Sequence, residues 1–410
     1  MPDVEIDPQR VLSNLHTLRG IGTYKTGVHR PTLSPQDMKA RHWLVEQLTA
    51  IGHDAQIDGV ANVLGRSPAT GRKLLAGSHI ESQNHAGWLD GALGIVYALE
   101  AAIVIATSSG FPDQGIDVMA FADEEGHFMN FLGSYSFVGE LDESQLATRV
   151  NRTDGTKLSD ALSSAGLHGR PMLRMDTGRY EGFLEAHIEQ GDWLESEQLD
   201  IGVVTSIVSI SQYRLLFEGE QNHAGTTRMA IRKDAGVAAR RFFNALDDAF
   251  SIYSGPRTVW TVGCITLEPG APSIIPGRTE VLFQFRDAEP AKLDELHALL
   301  HELVDQADQK GPCKVSVETV SRSIPAVMDG RIQSAFTQAA DKHTLGKHAL
   351  MPSGAGHDAQ VLARHLPAGM LFVPSINGIS HHYTENTSDE HIVKGARVFA
   401  SAAAHLLDAE

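Results

Sequence analysis

The chain has 410 residues, 42% of them hydrophobic, with 38 Gly and 17 Pro, a length at which a single core stops growing and two domains are expected. Its formal net charge of −17 repels phosphate backbones and anionic lipid, so neither nucleic acid nor a membrane is expected as a partner. Only Cys264 and Cys313 are present beside 20 histidines, which excludes a disulfide framework or a thiolate zinc site. With a start, Met1-Pro-Asp-Val-Glu5, that has neither a basic nor an apolar stretch, this predicts a cytoplasmic protein.

From residue 36 to 204, short apolar runs alternate with longer helical stretches. The pattern predicts helices over residues 41–51 and 91–106 and buried strands over 73–77 and 116–122, the signature of an α/β layer with a largely parallel sheet. From residue 207 the order changes to strand (213–218), helix (235–250), two strands (259–267 and 277–287), helix (293–309) and strand (314–319). That is the β-α-β-β-α-β order of a small ferredoxin-like sandwich. After Pro325 the α/β character returns, with helices at 332–342 and 358–364 and a strand at 369–373. The simplest organisation is an α/β domain of residues 1–208 and 326–410 interrupted by an inserted domain of residues 209–325.

The chemistry-bearing residues fall at the ends of the predicted strands. His79 follows Lys73-Leu-Leu-Ala-Gly, Glu124 and Glu125 follow Ile116-Asp-Val-Met-Ala-Phe-Ala, His187 closes Gly182-Phe-Leu-Glu-Ala, and His381 comes soon after Met370-Leu-Phe-Val. In an open parallel sheet the carboxyl ends of strands share one crevice, so separate segments deliver these groups to one place. Asp90 stands where a loop enters the helix that begins at Gly91, as a helix cap or as a bridge between two cations. Taken singly, each residue has a plain structural explanation, a strand-end histidine being readily satisfied by backbone. Together, imidazoles and carboxylates without thiolate suit Zn, Mn, Co or Ni, and five such ligands exceed what one tetrahedral site needs. Two dications with Asp90, Glu125 and three neutral imidazoles leave a site of net charge about +2, or +1 with Glu124 included, able to acidify a bound water and attract an anionic substrate. Glu125 is then the ligand, and Glu124 the group that takes the proton of water.

The segment Gly77-Ser-His-Ile-Glu-Ser-Gln-Asn-His-Ala-Gly-Trp-Leu-Asp-Gly-Ala-Leu-Gly94 resembles the first metal motif of the dinuclear hydantoinase/carbamoylase amidases. The likeness continues, in that family's order, through Phe121-Ala-Asp-Glu-Glu-Gly126, Glu185-Ala-His-Ile-Glu-Gln-Gly191, Asn222-His-Ala-Gly-Thr-Thr227, Ser353-Gly-Ala-Gly-His-Asp-Ala359 and Ser375-Ile-Asn-Gly-Ile-Ser-His381. The resemblance implies a metallopeptidase-like catalytic domain carrying an inserted dimerisation or lid domain. It implies two divalent ions per subunit: His79, Asp90 and His187 on one, Asp90, Glu125 and His381 on the other. Glu124 is then the general base, and His223 a donor to the tetrahedral oxyanion. Arg286 matches the family's clamp on a substrate carboxylate, its fork suiting bidentate pairing, while Gln83, Asn222, Ser273, Gly354 and Gly356 match positions near the substrate. The implied activity is hydrolysis of a linear amide or ureido C–N bond, foremost that of an N-carbamoyl amino acid, with an aminoacylase-like hydrolase or a metal-binding protein without catalysis as the competing functions. A small-molecule substrate bearing a carboxylate and a homodimer are the expected partners.

Departures from the family pattern concern recognition more than catalysis. Glu81 stands where the family has Asp, the carboxylate that orients the first metal-binding histidine. Ser273 replaces Asn, Arg228 replaces Pro, and His85 and Trp88 alter the loop before Asp90. These changes predict a substrate bulkier near Trp88 or carrying a second anion near Arg228.

Overall fold

The computed structural model describes residues 4–408. Two compact units meet in sequence at Ser206/Ile207 and Pro325/Ala326. The first is built on a nine-stranded sheet whose four central strands, Ala368–Val373, Phe183–Ile188, Lys73–His79 and Gly115–Phe121, lie side by side and run parallel. Ile201–Ile207 and Val63–Arg66 flank them antiparallel. Every residue of the four central strands is buried, as expected for parallel strands covered on both faces, and for that reason they read as continuous apolar runs rather than alternating ones.

Helix Ala92–Thr107 is buried along almost its whole length and packs on three of these strands and on the helices Pro8–Gly20 and Asp389–Asp408. The helix predicted over 41–51 begins earlier, at Pro35. Ser34 accepts the Asp37 N–H as N-cap and proline occupies the first turn, the position where its missing N–H costs nothing. Its first turns carry buried Asp37 and Arg41, polar residues on the core side that hide the apolar stripe from a reading of periodicity.

The second unit, Ile207–Pro325, has the predicted order: strand Ser209–Glu218, helix Ala235–Tyr253, strands Val259–Glu268 and Arg278–Asp287, helix Pro290–Lys310 and strand Lys314–Arg322. In space the four strands lie in the order second, third, first, fourth, all neighbours antiparallel. Strand Ser209–Glu218 alternates buried and exposed residues, so Tyr213, Leu215 and Phe217 meet Phe242, Leu246 and Phe250 of the first helix in one core. Among the described residues no helix is long and apolar enough to cross a membrane.

Gly77 lies opposite Met119 in the parallel ladder, and a Cβ there would be driven into the Met119 carbonyl. Gly77→Ala is therefore expected to cost at least ~2 kcal/mol, in the range of overpacking in a rigid core. The urea midpoint of unfolding measures this; an unchanged midpoint would contradict the close approach.

Candidate metal centre

Three of the four parallel strands end at the site, and the fourth leads to it. His79 closes its strand, His187 is the penultimate residue of Phe183–Ile188, Glu124 and Glu125 follow Gly115–Phe121, and His381 follows Ala368–Val373 after a short turn. Asp90 reaches them from the loop before Ala92–Thr107. Its carboxylate does not cap that helix, whose N-cap is Gly91 with no side-chain cap bond. Instead Asp90 Oδ1 lies 3.0 Å from His187 Nε2 and 3.3 Å from His79 Nε2, while Oδ2 lies 3.4 Å from His381 Nε2. His381 Nε2 is in turn 3.6 Å from Glu125 Oε2. Two groups thus form, His79–Asp90–His187 and Asp90–Glu125–His381, each with its ligand atoms within 4.8 Å of one another. One aspartate belongs to both, with one oxygen toward each.

The donor set asks for positive charge. His79 Nδ1 faces the Glu81 carbonyl at 3.1 Å and His187 Nδ1 the Ile188 carbonyl at 2.9 Å. These carbonyls fix the proton on Nδ1 of each neutral ring, so each Nε2 meets a carboxylate oxygen acceptor against acceptor, although His187 Nε2 also accepts the Gly91 N–H at 3.1 Å. Only a proton or a cation between them makes that contact favourable. Burial opposes protonation of both rings, yet Asp90, joined for His79 by the charges of Glu124 and Glu81, pushes their pKa values up. His381 rises to about 9, first through its hydrogen bond to Asp90. Glu124 is held well above the ordinary carboxylate range by burial, then by the charges of Glu125, Asp358 and Asp90 against the opposing pull of His79. Gln190 Oε1, buried beside this cluster, has no hydrogen-bond partner among the described residues. A buried, acceptor-rich cluster of imidazole and carboxylate fits divalent cations.

Glu124 Oε2 lies 3.8 Å from His79 Nε2. The acid pair projects into the site because Asp123, at φ 58, turns its carboxylate back onto the N–H groups of His127, Phe128 and Met129 and accepts the Thr32 hydroxyl. Gln83, expected near the substrate, has its amide on the Glu125 carbonyl and carboxylate at 2.9 and 3.0 Å, and so also holds Glu125. Gly354 has open space around it, whereas a side chain at Gly356 would meet the Phe131 ring. The turn that carries both leads to His357, whose ring centroid is 4.6 Å from that of His187.

Asn222, His223, Ser273 and Arg286 belong to the second unit. Asn222 and His223 pair with Ile275 and Ile274 in a two-residue ladder, and the Ser273 carbonyl accepts the Ala224 N–H. His223 Nδ1 accepts the N–H groups of Gly225 and Thr226 at 2.9 and 3.2 Å, so the proton of the neutral, exposed ring is on Nε2. Arg286 is the penultimate residue of its strand, and partial burial lowers its pKa. The next residue, Asp287, accepts from the Thr258 hydroxyl and the Glu289 N–H.

Two residues of the site escaped the sequence reading. Gln190, at φ 59, donates to Asp90 Oδ2 at 2.8 Å. Glu385, fully buried, accepts the N–H groups of Leu89 and Asp90 at 3.2 and 3.1 Å and the Ser380 hydroxyl. It thereby ties the Asp90 loop to the segment that carries His381, and burial, then the Asp90 charge, pushes it up to about 8. One expectation is corrected. Trp88 does not border a substrate space: it is 3% exposed, stacked on His16 and covered by the Arg19 guanidinium from helix Pro8–Gly20. His85 and Arg228 are exposed, His85 being stacked on His29 at 4.3 Å.

The model of Peptidase family M20/M25/M40 matches residues 73–405. The chain belongs to that family. Within it, the chain is 31% identical to the N-carbamoyl-L-amino-acid amidohydrolase of Paenarthrobacter aurescens over 95% of its own length and 96% of that protein. It is 31% identical to the allantoate amidohydrolase of Bacillus subtilis, over 90% of each. Among solved structures, an amidase of the hydantoinase/carbamoylase family from Burkholderia phymatum superposes with a TM-score of 0.91 at 45% identity, over 99% of both chains. The metallopeptidase-like fold and the family resemblance seen in the motifs are both borne out.

Replacing Glu385 by Ala strands two buried N–H groups, each worth ~1–3 kcal/mol when left unsatisfied, directly behind Asp90. Glu385→Ala is expected to lower thermal stability and to weaken zinc or manganese binding in equilibrium dialysis. Wild-type affinity in the variant would show that Glu385 does not hold the Asp90 loop.

Proposed function

We propose that this chain hydrolyses the C–N bond of a small ureido acid, an N-carbamoyl amino acid or a close relative, using two divalent cations. The observation that carries this reading is the division of Asp90, one oxygen toward His79 and His187 and the other toward His381, beside an uncommitted Glu124. Family membership and the two named amidohydrolase relatives support the same bond type. His79, Asp90 and His187 would hold one ion and Asp90, Glu125 and His381 the other. When bound, such ions supply Lewis acidity and make a water molecule easier to deprotonate near neutral pH.

Glu124 takes the proton from the attacking water and delivers it to the departing nitrogen, a task for which a carboxylate of raised pKa is suited. His223 donates from Nε2–H to the oxyanion, its tautomer set by the loop N–H groups on Nδ1, and Asn222 Oδ1 accepts the His223 N–H and steadies that loop. Arg286 pairs with the substrate carboxylate, and Gln83, Ser273, Gly354 and Gly356 border the substrate. Arg228 offers a cation for a second anionic group. The working form is a homodimer: strand Val259–Glu268 is a sheet edge of the second unit and exposes Val259, Ile265 and Leu267, an unpaired apolar edge suited to a second copy. Two free thiols fit a reducing cytoplasm.

Product analysis tests the bond. Incubation with N-carbamoyl-L-amino acids should release ammonia, whereas release of a carboxylic acid from N-acyl amino acids alone would favour the aminoacylase reading. Glu124→Gln should lower kcat by ~100- to 10,000-fold with metal content unchanged, and His223→Ala should lower it by ~100- to 1,000-fold, as removal of an oxyanion donor does. Ile265→Lys should shift sedimentation from dimer to monomer; a wild-type profile would move the interface elsewhere.

A further inference from the structure

No described residue donates a hydrogen bond to the Glu124 carboxylate, so the position of this group is set by its backbone. That backbone has a specific tether. The Glu124 N–H donates to Glu81 Oε1 at 2.7 Å, a charge-assisted bond at the short end of its range. The other oxygen, Glu81 Oε2, pairs with Arg41 Nη2 at 2.6 Å. Arg41 pairs onward through Nε with Asp37 at 2.9 Å and donates through Nη1 to the carbonyls of Ala61 and Phe121 at 2.8 and 3.2 Å. The side chains of Asp37, Arg41 and Glu81 are 0% exposed.

The histidine that Glu81 was expected to orient is served differently. Glu81 Oε1 lies 3.9 Å from His79 Nδ1, whereas the Glu81 backbone carbonyl lies 3.1 Å from it. The carbonyl is itself placed by the turn after His79, which Arg30 braces from behind by donating to the Ile80 carbonyl at 2.7 Å. Main chain therefore orients His79, which leaves the longer glutamate arm free to reach across to the next strand end.

We infer that Glu81 is a positioning residue for Glu124: its carboxylate, held by Arg41, fixes the main chain of the proton-transferring glutamate instead of the ring of His79. The inference rests on the function proposed above. Its physical content is reach. An aspartate at this position is shorter by one methylene and cannot span from Arg41 to the Glu124 N–H without moving one of them, whereas a glutamine keeps the length and an oxygen for the N–H while losing the charge.

Three measurements on the full chain separate this from a plain structural role. In the metal-free protein, backbone hydrogen exchange over residues 121–126 should be at least tenfold faster in Glu81→Asp than in wild type, and closer to wild type in Glu81→Gln. Zinc or manganese content after loading should be the same in all three. With N-carbamoyl-L-amino acids as substrate, kcat of Glu81→Asp should fall at least tenfold while KM stays within about threefold, and Glu81→Gln should recover part of the loss. Wild-type exchange in both variants, or loss of metal with exchange unchanged, would overturn the inference and return Glu81 to service of His79. If Glu81→Asp does not fold, Glu81→Ala takes its place: exchange over residues 121–126 at least tenfold faster than in Glu81→Gln supports the inference, and equal exchange in the two overturns it. A wild-type chain without turnover on ureido acids would refute the proposed function, while the exchange and metal measurements would still decide the tether.

Discussion

A buried carboxylate facing three imidazoles is the constraint on which the rest of this structure depends. Asp90 is 3% exposed, and the two buried imidazoles beside it have their Nδ1 protons committed to main-chain carbonyls. Left without compensation, such an arrangement sets acceptors against acceptors in a medium of low dielectric, where each unpaired polar group is costly. The fold accepts that cost at one place and surrounds it with groups that hold Asp90 from other directions: Gln190 and Ser380 donate to Oδ2, and Glu385 grips the main chain on either side of Leu89. Contacts of this kind fix the orientation of a metal-binding group before any ion arrives.

The sheet explains why such distant residues can share one carboxylate. Four parallel strands present their carboxyl ends to the same edge, and every residue in them is buried, so the groups at their ends are held by a close-packed layer. Gly91 shows how tight the packing is: at φ +68 a Cβ there would lie against the His79 ring, so the residue after the shared aspartate has to be glycine for both conformational and steric reasons. Behind this layer the buried ions Asp37, Arg41 and Glu81 connect a helix to two strand ends. Buried ion pairs are poor sources of net stability, and here the geometry they impose on Glu124 is their evident consequence.

Much of this was legible in the sequence because strand ends are marked twice, by an apolar run that stops and by the polar residue that follows it. His79, Glu125 and His187 are marked that way, His381 comes soon after such a run, and Asp90 shows as the residue at the entry to a helix, while the second unit is legible as the order of its apolar strands and helices. Other elements left a fainter trace. Asp54–Ile57 and Val63–Arg66 are four residues each, too short for a period to declare itself, and Asp389–Asp408 has five alanines, a glycine and a serine among its twelve buried residues, small side chains that blur an amphipathic stripe. Glu385 lies in the polar run His382-Tyr-Thr-Glu-Asn, where nothing local separates a buried carboxylate from a surface turn. Trp88 was misjudged because its cover comes from His16 and Arg19, on a helix 69 to 72 residues earlier in the chain. The role of Glu81 needed three-dimensional distances, since substitution of one acid for another says nothing of which neighbour the longer arm reaches.

The claim that one aspartate serves two cations is tested most directly by counting metal per chain, by elemental analysis of protein loaded with zinc or manganese and freed of excess. The account predicts two ions in the wild-type chain, one in His187→Ala, and none in Asp90→Ala. One ion in the wild type, or a retained ion in Asp90→Ala, would contradict it.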